Sequence, residues 1–326
     1  MKANLPNTPP NPPKNKTLLY VILGFLAFFV LSFIFVVIVI QHMVGKSTGT
    51  SFLPSSDEIT LIDIQGPIYQ SDDIVRRIKK FKKGSKKAMI IRLNSPGGAV
   101  APSQEIYSEI LSARENKKIV VASMSSLAAS GAYYIAAACD KIVANPGTLT
   151  GSIGVIAEFP DASGLLKKVG LNFQTVKSGK FKDTGAFNRP MNPQEKEYLQ
   201  ETIMDVFQQF LGSVIEGRRL VFQEKLAKLF HKKPSQVSDL EIRNFVTPYA
   251  DGRVLTGKKA FELGFVDKLG NYYDAVQLTA DLAGIKGEPT VRADQPVKFE
   301  QLLNGLLPFS LLTRSSSGFQ LEYRAF

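Results

Sequence analysis

The chain is organised around residues Ala122 to Ile156, which read ASMSSLAASGAYYIAAACDKIVANPGTLTGSIGVI. The apolar run that ends at Ala122 is typical of a buried strand, and residues 132–138 have the composition of a packed helix. Ser130 and Gly131 therefore lie in a tight turn between a strand and a helix. Because unpaired amides at the start of a helix favour negative charge, a serine in this turn is well placed to act as a nucleophile.

A second turn of the same kind lies upstream. The apolar run Ala88 to Leu93 leads into Asn94-Ser95-Pro96-Gly97-Gly98, and a helical stretch follows from Ser103 to Asn116. The two glycines leave backbone N–H groups uncovered, as an oxyanion hole requires. Taken alone, each turn also has a purely structural interpretation, the first as an ordinary connection and Ser130 as a helix cap.

The turns belong to a set of four motifs that occur in one order along the chain. The motifs are S-P-G-G at Ser95 to Gly98, A-A-S-G-x-Y-Y at Ala128 to Tyr134, T-G-S-I-G-V at Thr150 to Val155 and K-S-G-x-x-K-D at Lys177 to Asp183. Together they resemble signal peptide peptidase A, a family of bacterial serine peptidases, over roughly residues 58–283. Neither the first nor the second motif recurs, so the chain is similar to the short, single-repeat form of the family.

The resemblance implies both a fold and a catalytic site. The fold is α/β, a spiral of β-β-α units of the ClpP/crotonase type. Ser130 is the nucleophile, Lys182 the general base and Ser152 the residue that orients the lysine, while the amides of Gly97 and Gly98 form the oxyanion hole. By composition alone Lys177 and Lys180 are also candidate bases, and Ser152 also suits an ordinary turn. A lysine base must be uncharged, which burial favours.

Composition excludes several other classes of protein. The 326 residues carry a formal net charge of +11, but the basic residues are spread along the chain without a nucleic-acid motif, so no nucleic-acid partner is expected. Cys139 is the only cysteine and cannot form an intramolecular disulfide. His42 and His231 are the only histidines and lie far from the motifs, which argues against a histidine base, a metal site or a cofactor.

The chain divides into an anchor and one large domain. Residues 18–40 carry no charge, and at about 1.5 Å per residue they are long enough to cross a hydrocarbon core of about 30 Å. A cleaved signal peptide is the alternative. Lys2, Lys14 and Lys16 precede this segment, which predicts a cytoplasmic N-terminus and an extracytoplasmic domain at a bacterial cell membrane. The predicted regions are a Pro/Asn-rich tail (1–16), a transmembrane helix (17–41), a linker (42–57), a serine peptidase domain (58–288) and a C-terminal tail (289–326).

Strands and helices are predicted to alternate through the large domain, which indicates a parallel sheet with right-handed crossovers. Predicted helices cover residues 71–82, 103–116, 131–138, 193–219, 223–230, 240–245, 257–263 and 272–283. Predicted strands cover residues 58–64, 88–93, 119–122, 141–144, 173–176 and 266–267.

The expected partners follow from the resemblance and from the chain ends. Extended peptides are expected to pair with the strand edge near residues 97–100, and the resemblance implies remnant signal peptides as substrates. It also implies a ring, an octamer by our prediction, in which the dyad forms across a subunit interface. Residues 319–326 are expected either to be disordered or to enter the substrate groove as a self-substrate. The alternative functions are a non-catalytic membrane scaffold and an acyl-CoA hydratase or isomerase.

Overall fold

The computed structural model describes residues 57–294 and 322–324, with isolated positions between 20 and 35. The chain separates into two compact units, Met1–Leu53 and Pro54–Phe326. Within the part of the chain that the structure describes, no helix combines the length and the apolar character needed to cross a membrane. The predicted transmembrane segment 17–41 falls largely outside that part, as do the tail 1–16 and most of the linker 42–57.

An eight-stranded sheet organises the larger unit, and a separate two-stranded pair lies beside it. The strands are β1 (Glu58–Gln65), β2 (Ala88–Ser95), β3 (Gly97–Ala99), β4 (Ile119–Ala129), β5 (Lys141–Ala144), β6 (Leu149–Gly151), β7 (Val254–Thr256), β8 (Lys268–Leu269), β9 (Thr290–Ala293) and β10 (Glu322–Arg324). The sheet has the order β7-β6-β4-β2-β1-β9, with β5 against β4 and β8 against β5. Its pairs are parallel apart from β6 and β7, which confirms the predicted parallel α/β sheet.

Helices surround the sheet, and each of them except α4 buries apolar residues. They are α1 (Asp72–Lys83), α2 (Val100–Glu115), α3 (Gly131–Ala137), α4 (Ser163–Lys168), α5 (Pro193–Gly217), α6 (Arg219–Phe230), α7 (Asp239–Val246), α8 (Gly257–Leu263) and α9 (Tyr272–Ala283). On α1 the spacing of Ile78 and Phe81 predicts an amphipathic helix, and both side chains are buried. The main core lies between the sheet and α1, α2, α3 and α5.

The central strand β4 is longer than predicted and carries the nucleophile candidate at its end. Its first part, Val121 to Met124, pairs with β5, and its last part, Leu127 to Ala129, pairs with β6. The sequence prediction stopped at Ala122 because serines and alanines replace the large apolar residues that mark a strand. Neighbours on both edges nevertheless satisfy the backbone there. Ser130 thus follows directly from the centre of the sheet.

Three other sequence predictions differ from the structure. The prediction of a strand from Phe173 to Val176 is wrong. The segment forms no strand, and Val176 is 99% exposed. Residues that favour strands do not form one without a neighbouring strand to pair with. The strand predicted at residues 266–267 lies two residues later, at Lys268–Leu269. The sheet also continues past residue 288, because Thr290–Ala293 pairs with β1.

A close approach between α3 and α5 provides a prediction about stability. A Cβ atom at Gly217 would lie 2.1 Å from the carbonyl oxygen of Ala137, so alanine there forces the two helices apart. We expect Gly217→Ala to destabilise the domain by about 3 kcal/mol and to lower the thermal unfolding midpoint. The control is Gly212→Ala in the same helix, where a Cβ meets nothing within 4 Å and alanine stabilises by about 0.5–1 kcal/mol. An unchanged midpoint for Gly217→Ala would contradict this packing.

Candidate active site

Ser130 occupies a strained backbone conformation between β4 and α3. Its φ of 55° and ψ of −119° lie where residues other than glycine are rare, at a cost of about 1–3 kcal/mol. Its N–H donates to the carbonyl of Gly151 at 2.8 Å, and its carbonyl accepts from the N–H of Tyr134 at 2.8 Å. The Ser130 hydroxyl is buried and has no hydrogen-bond partner within the described chain. Such an orphaned hydroxyl on a strained turn is typical of a functional site.

Two buried tyrosines hold the helix that follows Ser130. The hydroxyl of Tyr133 donates to the carbonyl of Phe265 at 2.9 Å, and that of Tyr134 shares a hydrogen bond of 2.7 Å with Ser213. The Tyr134 ring packs on Phe210 with the ring centroids 4.9 Å apart. Burial raises the pKa of the Tyr133 hydroxyl, which keeps it neutral. The paired tyrosines of the motif therefore fix α3 in place.

The glycine turn lies beside Ser130 because β2 and β4 are paired at their ends. Ser95 is opposite Ala128 in the register, two residues before the nucleophile candidate. The N–H of Gly97 donates to the Ser95 hydroxyl at 3.1 Å, so this predicted oxyanion donor already has an acceptor. The sequence analysis gave Ser95 no role, although a serine two residues before a turn amide is a known local hydrogen-bonding pattern.

Gly98 has a different environment, and its N–H points away from Ile68. Ile68 donates to the carbonyl of Gly97 at 2.9 Å, and Ala99 donates to the carbonyl of Ile68 at 2.8 Å. Because trans peptide groups are planar, the N–H and the carbonyl of Gly98 both point away from Ile68. A Cβ atom at Gly98 would lie 2.2 Å from the Ile68 carbonyl oxygen, so only glycine fits. Gly98 therefore presents its N–H at the edge of β3 that lies opposite Ile68.

Ser152 directly follows Gly151, whose carbonyl accepts the hydrogen bond from the N–H of Ser130. It is 3% exposed, has a φ of 50° and donates its N–H to the carbonyl of Arg253 at 2.8 Å. Thr150, to which the sequence analysis gave no role, fixes the strand by donating its hydroxyl to Ala128 at 2.7 Å. Ser152 also lines an open groove whose walls carry the polar side chains of Gln200 and Asp251 and otherwise mainly apolar ones. These walls include Val155, Ile156, Ile203, Met204 and Phe207.

The three candidate lysines differ in their contacts. Lys177 forms an ion pair with Asp183. Lys180 donates to Gln194 at 3.4 Å and lies 4.5 Å from the centroid of the Phe181 ring. Lys182 is exposed, and among the described residues its amine has no hydrogen bond or ion pair. Of these three lysines, only Lys182 is thus free to bind another group.

An ion-pair network holds the loop that carries these lysines. Arg189 donates to Asp183 at 2.9 Å and to Glu195 at 2.9 Å, and Glu195 also accepts from the N–H of Asn192 at 3.0 Å. Arg189 lowers the pKa of Glu195 to about 2. Arg189 and Lys177 together hold the pKa of Asp183 well below its usual range. Because both folded-state pKa values are lowered, the network stabilises the loop at neutral pH and is lost as the pH falls toward about 2.

The structure brings together four of the five predicted site residues within one chain. Ser130, Ser152, Gly97 and Gly98 lie at neighbouring ends of β4, β6 and β3. Lys182 is exposed on its loop and makes no hydrogen bond to the Ser130 hydroxyl. Among the residues described, no group of three metal-binding side chains occurs.

Residues 156–191, which we call the arm, expose an unusual amount of apolar surface. Val176 is 99% exposed, and Leu165, Val169, Leu171 and Phe173 are each more than half exposed. Large apolar side chains clustered in this way on a protein surface are typical of a contact with another protein. Lys182 lies within the arm, so such a contact would cover the region around it.

Comparison with known proteins places the chain among peptidases. The sequence profile of peptidase family S49 matches residues 112–286. This range contains the candidate nucleophile, the free lysine and Ser152. The glycine turn at residues 95–98 lies upstream of it.

Three relatives from different organisms carry peptidase names. A Synechocystis protein named as a protease is 39% identical over 230 residues, which are 70% of this chain and 75% of that protein. A Methanocaldococcus jannaschii protein named as a protease is 34% identical over 64% of this chain and 60% of its own length. An Enterococcus faecium protein named as a signal peptide peptidase is 32% identical over 64% of this chain and 55% of its own length.

The chain thus spans between about half and three quarters of these relatives. The family resemblance predicted from the four motifs is confirmed by the profile and by the relatives. The profile match covers more than half of the chain, and a relative above 30% identity is covered over most of its length. The chain therefore belongs to peptidase family S49.

Proposed function

We propose that the protein is a serine endopeptidase in which Ser130 attacks the peptide carbonyl and Lys182 is the general base. The observation that carries the proposal is the orphaned, buried Ser130 hydroxyl on a strained turn, with the N–H of Gly98 turned away from Ile68 on the glycine turn. In the proposed site a nucleophile and an oxyanion donor are held together before substrate binds. Preorganised donors of this kind are usually the largest single contribution to acyl-transfer catalysis.

The reaction follows from these groups. The amine of Lys182 takes the hydroxyl proton while Ser130 Oγ attacks the carbonyl carbon, and the oxyanion accepts from the N–H of Gly98. The second donor is the N–H of Gly131, which has no acceptor within its own helix because it opens α3. Protonated Lys182 then gives its proton to the leaving amine. Water activated by the same amine hydrolyses the acyl-enzyme.

Lys182 reaches the nucleophile of a second copy of the chain in this proposal. Within one chain the Ser130 hydroxyl and the Lys182 amine both lack partners among the described residues. The exposed apolar side chains of the arm supply a surface that a neighbouring copy would cover. Head-to-tail contacts between copies form a ring when the rotation that relates neighbouring copies closes. A ring of eight copies is our proposal for the assembly.

The groove beside Ser152 is where the amine of the neighbouring copy would bind. Its apolar side chains disfavour the charged form of a lysine, because a charge loses its hydration there. The one carboxylate on these walls, that of Asp251, is already ion-paired with Arg253. The Ser152 hydroxyl supplies a neutral hydrogen-bond partner that orients the amine without charging it. The loop network around Arg189 keeps the lysine segment in a fixed conformation.

Extended peptides are the proposed substrates, and remnant signal peptides are the proposed class. The name of the Enterococcus faecium relative supports this class. We also propose that the uncharged segment 18–40 anchors the domain on the extracytoplasmic face of the membrane, where such peptides remain after secretion.

A serine-reactive probe tests the proposed function directly. The full-length protein is treated with a fluorophosphonate, digested, and examined by mass spectrometry. We expect one modified serine, Ser130, and hydrolysis of a signal-peptide-derived peptide that stops when the label is attached. A protein that hydrolyses no peptide and carries no label at Ser130 would instead be the non-catalytic scaffold considered above.

A further inference from the structure

Positive charge is concentrated in one short segment of the chain. Residues 72–87, which form α1 and the turn before β2, contain eight basic and two acidic residues. Their net charge of +6 is more than half of the +11 that the whole chain carries. The helix buries Ile78 and Phe81 in the core, which leaves most of its basic side chains exposed. Such a patch favours binding to anions, nucleic acids or charged membranes.

Nearby carboxylates do not cancel this charge, because most of them are shared between two cations. The ion pairs of this region join eight cations to five carboxylates, which belong to Asp57, Glu58, Asp73, Glu109 and Asp294. Lys83 and Lys117 are exposed and form no ion pair with any residue that the structure describes. Glu115 lies close to Lys117 and Lys118 in the chain, but the two lysines outnumber it. A net positive charge therefore remains on this surface.

The cations surround the point where the chain enters the domain from the linker. Asp57 is the first residue of the domain that the structure describes, and its carboxylate lies 3.3 Å from the Lys87 amine. Glu58, which begins β1, forms an ion pair of 2.7 Å with Lys86. A tether that leads from residues 18–40 to β1 therefore reaches the domain beside these lysines. We call this side of the domain the linker end.

Lys117 belongs to the same surface. The amine of the adjacent Lys118 donates to the carbonyls of Gly84 and Lys86, at 2.7 Å and 2.6 Å. These carbonyls lie in the turn that follows the last residue of α1. We call the exposed lysines of this region the basic face, and they are Lys79, Lys80, Lys83, Lys87 and Lys117.

The linker end and the candidate active site lie at opposite ends of the sheet. Ala88, at the start of β2, is opposite Ile59 near the start of β1. Ser95, at the other end of β2, is opposite Ala128, two residues before Ser130. Because β2 has eight residues and a parallel strand rises about 3.3 Å per residue, the two ends are about 25 Å apart.

We infer that the basic face binds anionic lipid headgroups and so directs the linker end of the domain toward the membrane. The inference rests on the proposed anchor, because residues 41–56 can span at most about 55 Å and keep the face near the bilayer. Each lysine close to an anionic surface strengthens the attraction by about fivefold. A single-stranded nucleic acid is disfavoured, since its bases stack on exposed aromatic rings, whereas Phe81, the only aromatic residue of this segment, is buried.

This orientation limits the substrates of the proposed peptidase. Ser130 stands at the far end of β2, about 25 Å from the headgroups. A peptide held in the bilayer reaches Ser130 only when about seven or eight of its residues extend from the membrane, since an extended chain spans about 3.5 Å per residue. Peptides with shorter protruding ends are expected to remain uncut.

Acetylation of the full-length protein in lipid nanodiscs tests the contact. The discs contain phosphatidylcholine alone or a mixture with phosphatidylglycerol, and mass spectrometry gives the rate at which a water-soluble N-hydroxysuccinimide ester acetylates each lysine. We expect Lys83, Lys87 and Lys117 to react about fivefold more slowly in the anionic discs. The difference should disappear in about 1 M salt, which screens the attraction. Lys258, exposed on α8 and hydrogen-bonded through its N–H to Pro146, is the control and should react equally in both discs.

A triple variant tests whether these lysines make the contact. Lys83→Gln/Lys87→Gln/Lys117→Gln should abolish the protection of Lys79 and Lys80 in the anionic discs. Its hydrolysis of a soluble peptide should match that of wild type, because the substituted residues lie away from Ser130.

The matched control is Lys228→Gln/Lys233→Gln/Lys258→Gln, which removes the same charge from exposed positions elsewhere on the domain. This variant should keep the protection of the basic face. Equal loss of protection in both triple variants would show that net charge alone is responsible and would overturn the inference.

Three further results would also overturn the inference. They are equal acetylation of the basic face in the two kinds of disc, equal protection by inorganic phosphate in phosphatidylcholine discs, and protection by a DNA duplex but not by phosphatidylglycerol. The anchor is tested separately, because it predicts that the protein also copurifies with phosphatidylcholine discs. Protein that fails to enter those discs, yet is protected by phosphatidylglycerol, would refute the anchor and support the basic face. Hydrolysis of a soluble peptide in the same samples tests the proposed peptidase function independently.

Discussion

Replacing Ser130 with alanine is expected to lower kcat for peptide hydrolysis by about a million-fold, since no acyl-enzyme can form. The fold should survive, because the Ser130 hydroxyl makes no hydrogen bond within the described residues. Its two backbone hydrogen bonds, to Gly151 and from Tyr134, are independent of the side chain. The measurement is steady-state hydrolysis of a fluorogenic signal-peptide-derived peptide, with the thermal unfolding midpoint recorded alongside.

Ser126→Ala is the matched control for this experiment. Ser126 lies on the same strand, four residues earlier, and is exposed. Its replacement should leave both the rate and the labelling by fluorophosphonate unchanged. If Ser130→Ala keeps more than about a hundredth of the wild-type rate, Ser130 is not the nucleophile. Even the loss of a general acid or base alone lowers a rate by about a hundred-fold or more.

Replacing Lys182 with alanine is expected to lower kcat by about 10⁴-fold, because the serine then has no base. Lys180→Ala and Lys177→Ala should have much smaller effects, since these side chains are engaged with Gln194 and Asp183 in their own loop. Lys182→Arg should be as inactive as Lys182→Ala, because a guanidinium does not give up its proton in a protein. The rates are measured on the same fluorogenic peptide.

The result for Lys182 is distinguished from a loss of folding by two further readouts. Unfolding midpoints of Lys182→Ala and wild type should agree, since the exposed amine has no partner among the described residues. The oligomeric state, measured by mass photometry or light scattering, should also be unchanged. Full activity in Lys182→Ala together with inactivity in Lys180→Ala would assign the base to the neighbouring lysine instead.

Some parts of the fold are predictable because their physical signal is local. Parallel strands buried on both faces, such as β2, appear as continuous apolar runs, and helices such as α1 and α9 have clear apolar spacing. The nucleophile turn and the glycine turn are likewise visible in sequence, because their residue types are dictated by backbone geometry. Gly98 is an example, since the backbone of Ile68 leaves no room for a side chain.

Other parts depend on partners that the local sequence does not reveal. The segment Phe173 to Val176 has strand-forming residues but no strand to pair with, whereas Thr290–Ala293 finds one in β1. The role of Ser95 depends on the hydrogen bond that its hydroxyl accepts from the N–H of Gly97. The proximity of Ser130 and Lys182 is not set by the local sequence either. In the proposed mechanism the two side chains meet only when a second copy is present.

In the proposed mechanism one copy supplies Ser130 and another copy supplies Lys182. Co-expression of Ser130→Ala and Lys182→Ala chains with different affinity tags, followed by sequential purification on both tags, gives mixed assemblies. Random mixing in a ring places an intact serine beside an intact lysine at about one quarter of the sites. We therefore expect about one quarter of the wild-type rate, although each variant alone is inactive. Mixed assemblies that stay as inactive as the single variants would contradict a site shared between copies.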